Sequence, residues 1–95
     1  MAAYIIVDID IHDVEGMKEY RERVPATLEK YGGKFLVRGG KFETLEGSWK
    51  PTRLVVIEFP SGEAAKRWYD SPEYTPLKAQ RFKASKGHMV LVEGV

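Results

Sequence analysis

The chain has no cysteine. Disulfides, thiolate nucleophiles and cysteine-ligated metals are therefore excluded. Its two histidines, His12 and His88, lie far apart and make no HxH or HxxxH spacing, so no metal site is expected. No GxGxxG or phosphate-loop pattern occurs. The paired glycines Gly32-Gly33 and Gly39-Gly40 have the context of turns. No serine sits in a nucleophile-elbow motif. No apolar run approaches the roughly 20 residues that would span a bilayer. The N-terminal stretch MAAYIIVDIDIHD lacks the basic region and cleavage pattern of a secretory signal, so a cytoplasmic protein is expected. An excess of one charge is missing too. A net charge of +1 argues against nucleic acid, which needs a concentrated basic surface. The basic residues Lys78, Arg81, Lys83 and Lys86 read as cations near a helix C-terminus, where the helix dipole favours them.

What remains is ordinary globular material, 31% charged and 43% hydrophobic. Ninety-five residues suit a single domain, here residues 1–95, with a modest core that a partner subunit would enlarge.

The clearest stretch is RLVVIEFPSGEAAKRWYDSPEYTPL, residues 53–77. Residues 53–59 are β-branched or aromatic and predict a strand. Val55, Ile57 and Phe59 share one face with Arg53, and Leu54, Val56 and Glu58 share the other. Pro60 stops the pairing and Ser61 caps a helix opening at Gly62. Ala64, Ala65, Trp68 and Tyr69 make its apolar stripe. Ser71-Pro72 reads as a second cap, so a bent helix restarts at Pro72 and carries Tyr74 and Leu77 onward.

The rest follows in order. Residues 4–11 form a strand with Ile5, Val7, Ile9 and Ile11 on one face and Tyr4, Ile6, Asp8 and Asp10 on the other. Asp13 caps a helix from about residue 14 to 31, striped by Val14, Met17, Tyr20, Val24, Leu28 and Tyr31. Pro25 should bend it near Arg21, whose carbonyl loses its partner. Gly32-Gly33 ends it. Lys34–Arg38 is the second strand, kinked or bulged at Gly39-Gly40, with residues 41–45 continuing as a ribbon and 46–52 turning back. Gly87 opens the last strand, residues 88–93.

The order βαββαβ predicts an α+β, ferredoxin-like fold: a four-stranded antiparallel sheet, order 4-1-3-2, with both helices on one face. Its two central strands are apolar on both faces, whereas a sheet wet on one side should alternate. The helix-free face should therefore pack on an identical chain about a two-fold axis.

A set of local patterns then stands out: Tyr31-Gly32-Gly33, Arg38-Gly39-Gly40, Leu45-Glu46-Gly47, Trp49, Arg53, Phe59-Pro60-Ser61, Ala64-Ala65, Trp68-Tyr69, Ser71-Pro72-Glu73-Tyr74 and Arg81. Together, over essentially the whole chain, they resemble the domain of unknown function 1330 family. The resemblance implies the dimeric α/β-barrel group, in which two ferredoxin-like chains pack sheet to sheet. That group includes cofactor-free monooxygenases acting on polycyclic quinols, muconolactone isomerases, haem-degrading enzymes and stress-induced proteins. It implies a ligand cleft between helices and sheet within each subunit, and it supplies no catalytic motif to carry over.

The expected topology gathers Asp8, Asp10, Arg38, Arg53 and His88 at one edge of the sheet. Arginine would clamp a carboxylate or enolate, and His88 or Asp10 would move a proton. Their structural alternative is cross-strand pairing such as Asp10 with Arg53. Tyr20, Trp68, Tyr69 and Tyr74 look down on the sheet as walls for a planar ligand or as plain core. Trp49, in a loop before Pro51, reaches over a pocket mouth or into the other subunit. Two functions stay open: a cofactor-free enzyme for an aromatic or carboxylate metabolite, and a non-catalytic ligand-binding or stress-associated dimer.

Overall fold

Strand β1, Ala3–Ile11, alternates strictly: Ala3, Ile5, Val7 and Ile9 are buried, while Tyr4, Ile6 and Asp8 are half-exposed. The computed structural model describes residues 1–95 and places β1 centrally in one sheet of order β2-β3-β1-β4. The flanking strands are β2 (Lys34–Arg38), β3 (Leu54–Phe59) and β4 (Ser85–Glu93). All neighbours are antiparallel, and the order is the expected one read from the opposite edge. Cross-strand register settles which residues share a face. Val7 lies between Val55 and Met89, and Asp8 between Leu54 and His88.

Helices cover only the Val7 face. Asp13 accepts the Gly16 N–H at 3.0 Å and opens a 3-10 turn, Glu15–Met17, that leads into α1, Lys18–Lys30. The helix runs through Pro25. That proline leaves the Arg21 carbonyl without an intrahelical donor, and Arg38 Nη2 donates to it at 3.0 Å. Gly32, at φ 80°, turns the chain out of the helix. Gly33 lets it pass Phe59, whose ring lies 2.7 Å from where a Cβ would stand.

In α2 (Gly62–Tyr69) Ser61 Oγ caps the Ala64 N–H at 3.1 Å. Ser71 Oγ then accepts the Tyr74 N–H at 3.1 Å and donates to the Trp68 carbonyl at 2.7 Å. One turn intervenes before the regular helix α3, Thr75–Ala84, so the restart expected at Pro72 comes three residues later. The reason is Pro76, which occupies the first turn of α3. The core joins Ile5, Val7 and Ile9 to Val24, Leu28, Trp68 and Leu77.

Two expectations fail at the β2 edge. The bulge falls at Leu36, between Phe35 and Val37, and not at Gly39-Gly40. Gly39, at φ 75°, instead leads the chain off the sheet, with the Arg53 guanidinium filling the space of its missing side chain. Residues 41–45 form no ribbon and are exposed. They would need β3 to extend backward, where Pro51 has no N–H to offer. At the other edge β4 starts at Ser85, not His88, because α3 runs straight into it. Gly87 sits inside the strand, where a Cβ would meet the Asp8 carbonyl oxygen at 2.4 Å.

The helix-free face stays open. Val37, Val90 and Val92 are 38%, 57% and 45% exposed there, and the molecule is a slab of 37 × 36 × 17 Å.

Candidate functional site

Between α1, α3 and the sheet lies a cavity of about 50 Å³, walled by Val7, Ile9, Met17, Val24, Val55 and Met89. Its polar lining is Tyr20, Arg21, Arg38, Arg53 and Arg81. The strands aim two of these. Arg38 ends β2 opposite Val55, and Arg53 precedes β3 with its carbonyl accepting the Ile9 N–H at 3.0 Å. Both therefore share the helix side of the sheet.

None of these four arginines has an acid partner. The salt bridges of the chain are Arg23–Glu19, Lys30–Glu73 and Lys34–Glu58, and none of these residues lines the cavity. Burial, then the Arg21 and Arg38 charges, pushes the Arg53 pKa down. Like charges crowded without a counter-ion are the arrangement that an incoming anion relieves. Arg38 is held in part by other means, its Cζ lying 4.3 Å from the centroid of the Phe35 ring.

The tyrosines divide. Tyr20 Oη lies 2.7 Å from Tyr74 Oη, and Tyr74 Oη accepts from Arg81 Nε at 3.2 Å. Burial raises both phenol pKa values, so both hydroxyls keep their protons. Tyr20 reaches the cavity. Tyr74 is fully buried, its ring 4.0 Å from that of Trp68, and meets the site only through Tyr20 and Arg81. Trp68 is core, donating to Thr27 Oγ1 at 3.0 Å. Tyr69 lies outside the cavity, under Lys78 Nζ, which is 3.9 Å from its ring centroid. It lines a separate shallow depression with Ala65 and Leu91.

The constellation expected at one edge is split by the pleat. Arg38 and Arg53 face the cavity, whereas Asp8, Asp10 and His88 line a depression on the helix-free face. Asp8 and Asp10 alternate with Val7 and Ile9, so they point the other way. No Asp10–Arg53 pair forms. Asp10 stands opposite Lys86 and Asp8 opposite His88. Trp49 goes with this second group. The residue is 61% exposed and its Nε1 donates to Asp8 Oδ2 at 3.2 Å. The Thr52 N–H, then Trp49, holds the Asp8 carboxyl below its ordinary value.

Arg81 stands in the last turn of α3, where the charge pattern puts it, but that pattern does not show that it is buried, 7% exposed. The spacing carries the signal: Leu77, Arg81 and Ala84 recur at steps of four and three and are the buried residues of α3. Arg21 gave no such signal beyond its place next to Tyr20.

The model of the family described as domain of unknown function (DUF1330) matches residues 2–95. Curated proteins give no match. Among solved structures the chain is similar to a protein of unknown function from Rhodopseudomonas palustris, with TM-score 0.78 and 16% identity, over 99% of this chain and 82% of that one. It is also similar to SnoaB, a cofactor-independent oxygenase from Streptomyces nogalater, with TM-score 0.66 and 14% identity over 99% and 93% of the two chains. An antibiotic biosynthesis monooxygenase aligns at TM-score 0.56 and 16% identity over 100% and 99%. At such identities the likeness speaks for the ferredoxin-like fold alone. No helix is long and apolar enough to cross a membrane.

Proposed function

The chain belongs to the DUF1330 family, and from that membership and the cavity we propose a small-molecule enzyme of the cofactor-free monooxygenase or isomerase type. Its substrate is a small aromatic or carboxylate metabolite held between helices and sheet. The observation that carries this reading is the apolar cavity whose polar lining is four arginines and a tyrosine with no acid among them. Apolar walls take the body of the ligand and guanidiniums take its charge. Arg38 and Arg53 hold the anionic end. No carboxylate or imidazole lines the cavity, so a proton leaves an acidic substrate for water at the open mouth, and the arginines stabilise what remains. A fold shared with SnoaB, a cofactor-independent oxygenase, supports this class by analogy.

The working unit in this proposal is a homodimer packed through the helix-free face. Its support is the uncovered apolar surface of Val37, Val90 and Val92, continued by the exposed Trp49. Asp8, Asp10 and His88 then become interface residues, fixing register between subunits, and Tyr69 and Tyr74 shape the subunit from outside the cavity.

The absence of a general base from the cavity lining favours a second reading, a non-catalytic ligand-binding dimer. One experiment separates the two. Crystals of the protein are grown with a panel of aromatic carboxylates and quinols, and oxygen uptake is followed for each compound that gives density. Density between α1 and the sheet with uptake above the spontaneous rate supports the enzyme. Density without turnover supports the binder. Density at neither Arg38 nor Arg53 for any compound rejects both.

A further inference from the structure

Arg81 is a buried guanidinium with one hydrogen-bond partner, the Tyr74 hydroxyl at 3.2 Å, and no acid within salt-bridge reach. Guanidinium carries five N–H groups and accepts nothing. Its other N–H groups are not sealed in, since the one enclosed side-chain polar atom without a partner is Gln80 Oε1. The residue lines the cavity, so those unpaired donors have a place where a ligand could meet them.

The neighbouring hydroxyls have a direction. Arg81 Nε can only donate, so Tyr74 Oη accepts. The hydroxyl hydrogen of Tyr74 has one acceptor in reach, Tyr20 Oη at 2.7 Å. With Tyr74 donating there, the hydrogen of Tyr20 is left to turn into the cavity. Each bond in such a chain polarises the next, and here a cation heads the series. The inner end of the cavity thus presents a guanidinium and a phenol O–H, both donors, with no acceptor between them.

We propose that Arg81 and Tyr20 form an oxyanion site that binds a phenol or enol as its ionised form, with Tyr74 as the residue that positions the Tyr20 hydroxyl. This rests on the function proposed above and adds to it which residues hold the ionised oxygen, a seat separate from Arg38 and Arg53. The ligand loses its O–H proton to water on binding, and its oxygen then sits between the Arg81 guanidinium and the Tyr20 hydroxyl. Preorganised donors aimed at a developing negative charge favour the anion over the neutral form.

The test uses para-nitrophenol, whose phenolate and phenol differ in colour, added to the full chain at a pH below the free phenol's pKa. The bound probe is expected as phenolate, its apparent pKa lowered by about 1–3, the usual effect of one close cation. Arg81→Met abolishes that lowering, Arg81→Lys restores part of it, and Tyr20→Phe and Tyr74→Phe each weaken it. Thermal melts of every variant report whether the fold is intact. If Arg81→Met does not fold, the wild-type spectrum and Arg81→Lys decide. Probe bound as neutral phenol, or a lowering that survives Arg81→Met, overturns the oxyanion site and leaves the cavity as a ligand site. Failure of the probe to bind overturns it as well. Failure of the whole aromatic panel removes the proposed function too.

Discussion

Arg38 has two partners of different kinds. One is the cavity; the other is the Arg21 carbonyl that Pro25 strips of its helical donor. Restoring that donor should make the second partner dispensable. Arg38→Met is expected to cost about 0.5–1.5 kcal/mol in urea unfolding, the ordinary net value of one hydrogen bond. In a Pro25→Ala background the cost should shrink, since residue 25 then offers its own N–H. Equal costs in the two backgrounds would show that Arg38 does not act through that carbonyl. A second residue-scale test concerns Glu73, which takes hydrogen bonds from Lys30 and Tyr31. The first of these, then the second, pulls its pKa down to about 2. A carboxyl depressed in the folded state stabilises above its unfolded value, roughly 4.3, and loses that contribution as pH falls. The thermal midpoint should therefore drop between roughly pH 4.3 and about 2. Glu73→Gln should remove this part of the drop while leaving the rest of the profile.

At the scale of elements, two serines do similar work in unequal surroundings. Ser61 is part-buried and caps α2 through one bond to the Ala64 N–H. Ser71 is buried and closes the bend between α2 and α3 with two bonds. Ser61→Ala should cost about 1 kcal/mol. Ser71→Ala leaves the buried Tyr74 N–H unpaired, worth about 1–3 kcal/mol, and takes one of the donors from the Trp68 carbonyl, which keeps the Ser71 N–H at 3.1 Å, so it should cost visibly more. Urea denaturation midpoints give the order, and a larger loss at Ser61 would contradict the assignment. Both caps were legible from Ser-Gly and Ser-Pro ahead of an apolar stripe, since capping depends on neighbours a few residues away. The bulge at Leu36 was not legible. It depends on how β2 meets β3 across a long loop, and Gly39-Gly40 drew attention only because glycine permits what the loop then used for a different turn.

For the whole molecule the open question is the helix-free face. Its exposed valines lie on strands β2 and β4, and the proposed dimer buries them. Val90→Lys, at a position 57% exposed in the single chain, should barely change subunit stability, because a surface substitution is normally within about 0.5 kcal/mol. Against an interface it should instead shift sedimentation from dimer to monomer at micromolar concentration. A wild type that already sediments as one subunit rejects the dimer.

Periodicity and punctuation were enough for the sheet order, the two-sided apolarity of β1 and β3, the caps and the helix faces, except that Val14, placed on the first helix's stripe, lies ahead of the 3-10 turn and is 64% exposed. These rest on contacts within one element or on a pattern that repeats along it. The site was legible only in part. Arg38, Arg53 and Tyr20 do meet at one cavity, and their strand and helix positions said they could. Asp8, Asp10 and His88 do not join them, because strand parity sends alternate residues through opposite sides of the sheet, and proximity to one edge cannot override that. Arg81 needed the folded chain: burial of a side chain is decided by what packs around it, and only the packed α3 shows Arg81 covered beside Tyr74 and in no salt bridge. Local chemistry could be read residue by residue, but which polar groups share one enclosed space is a property of the assembled core.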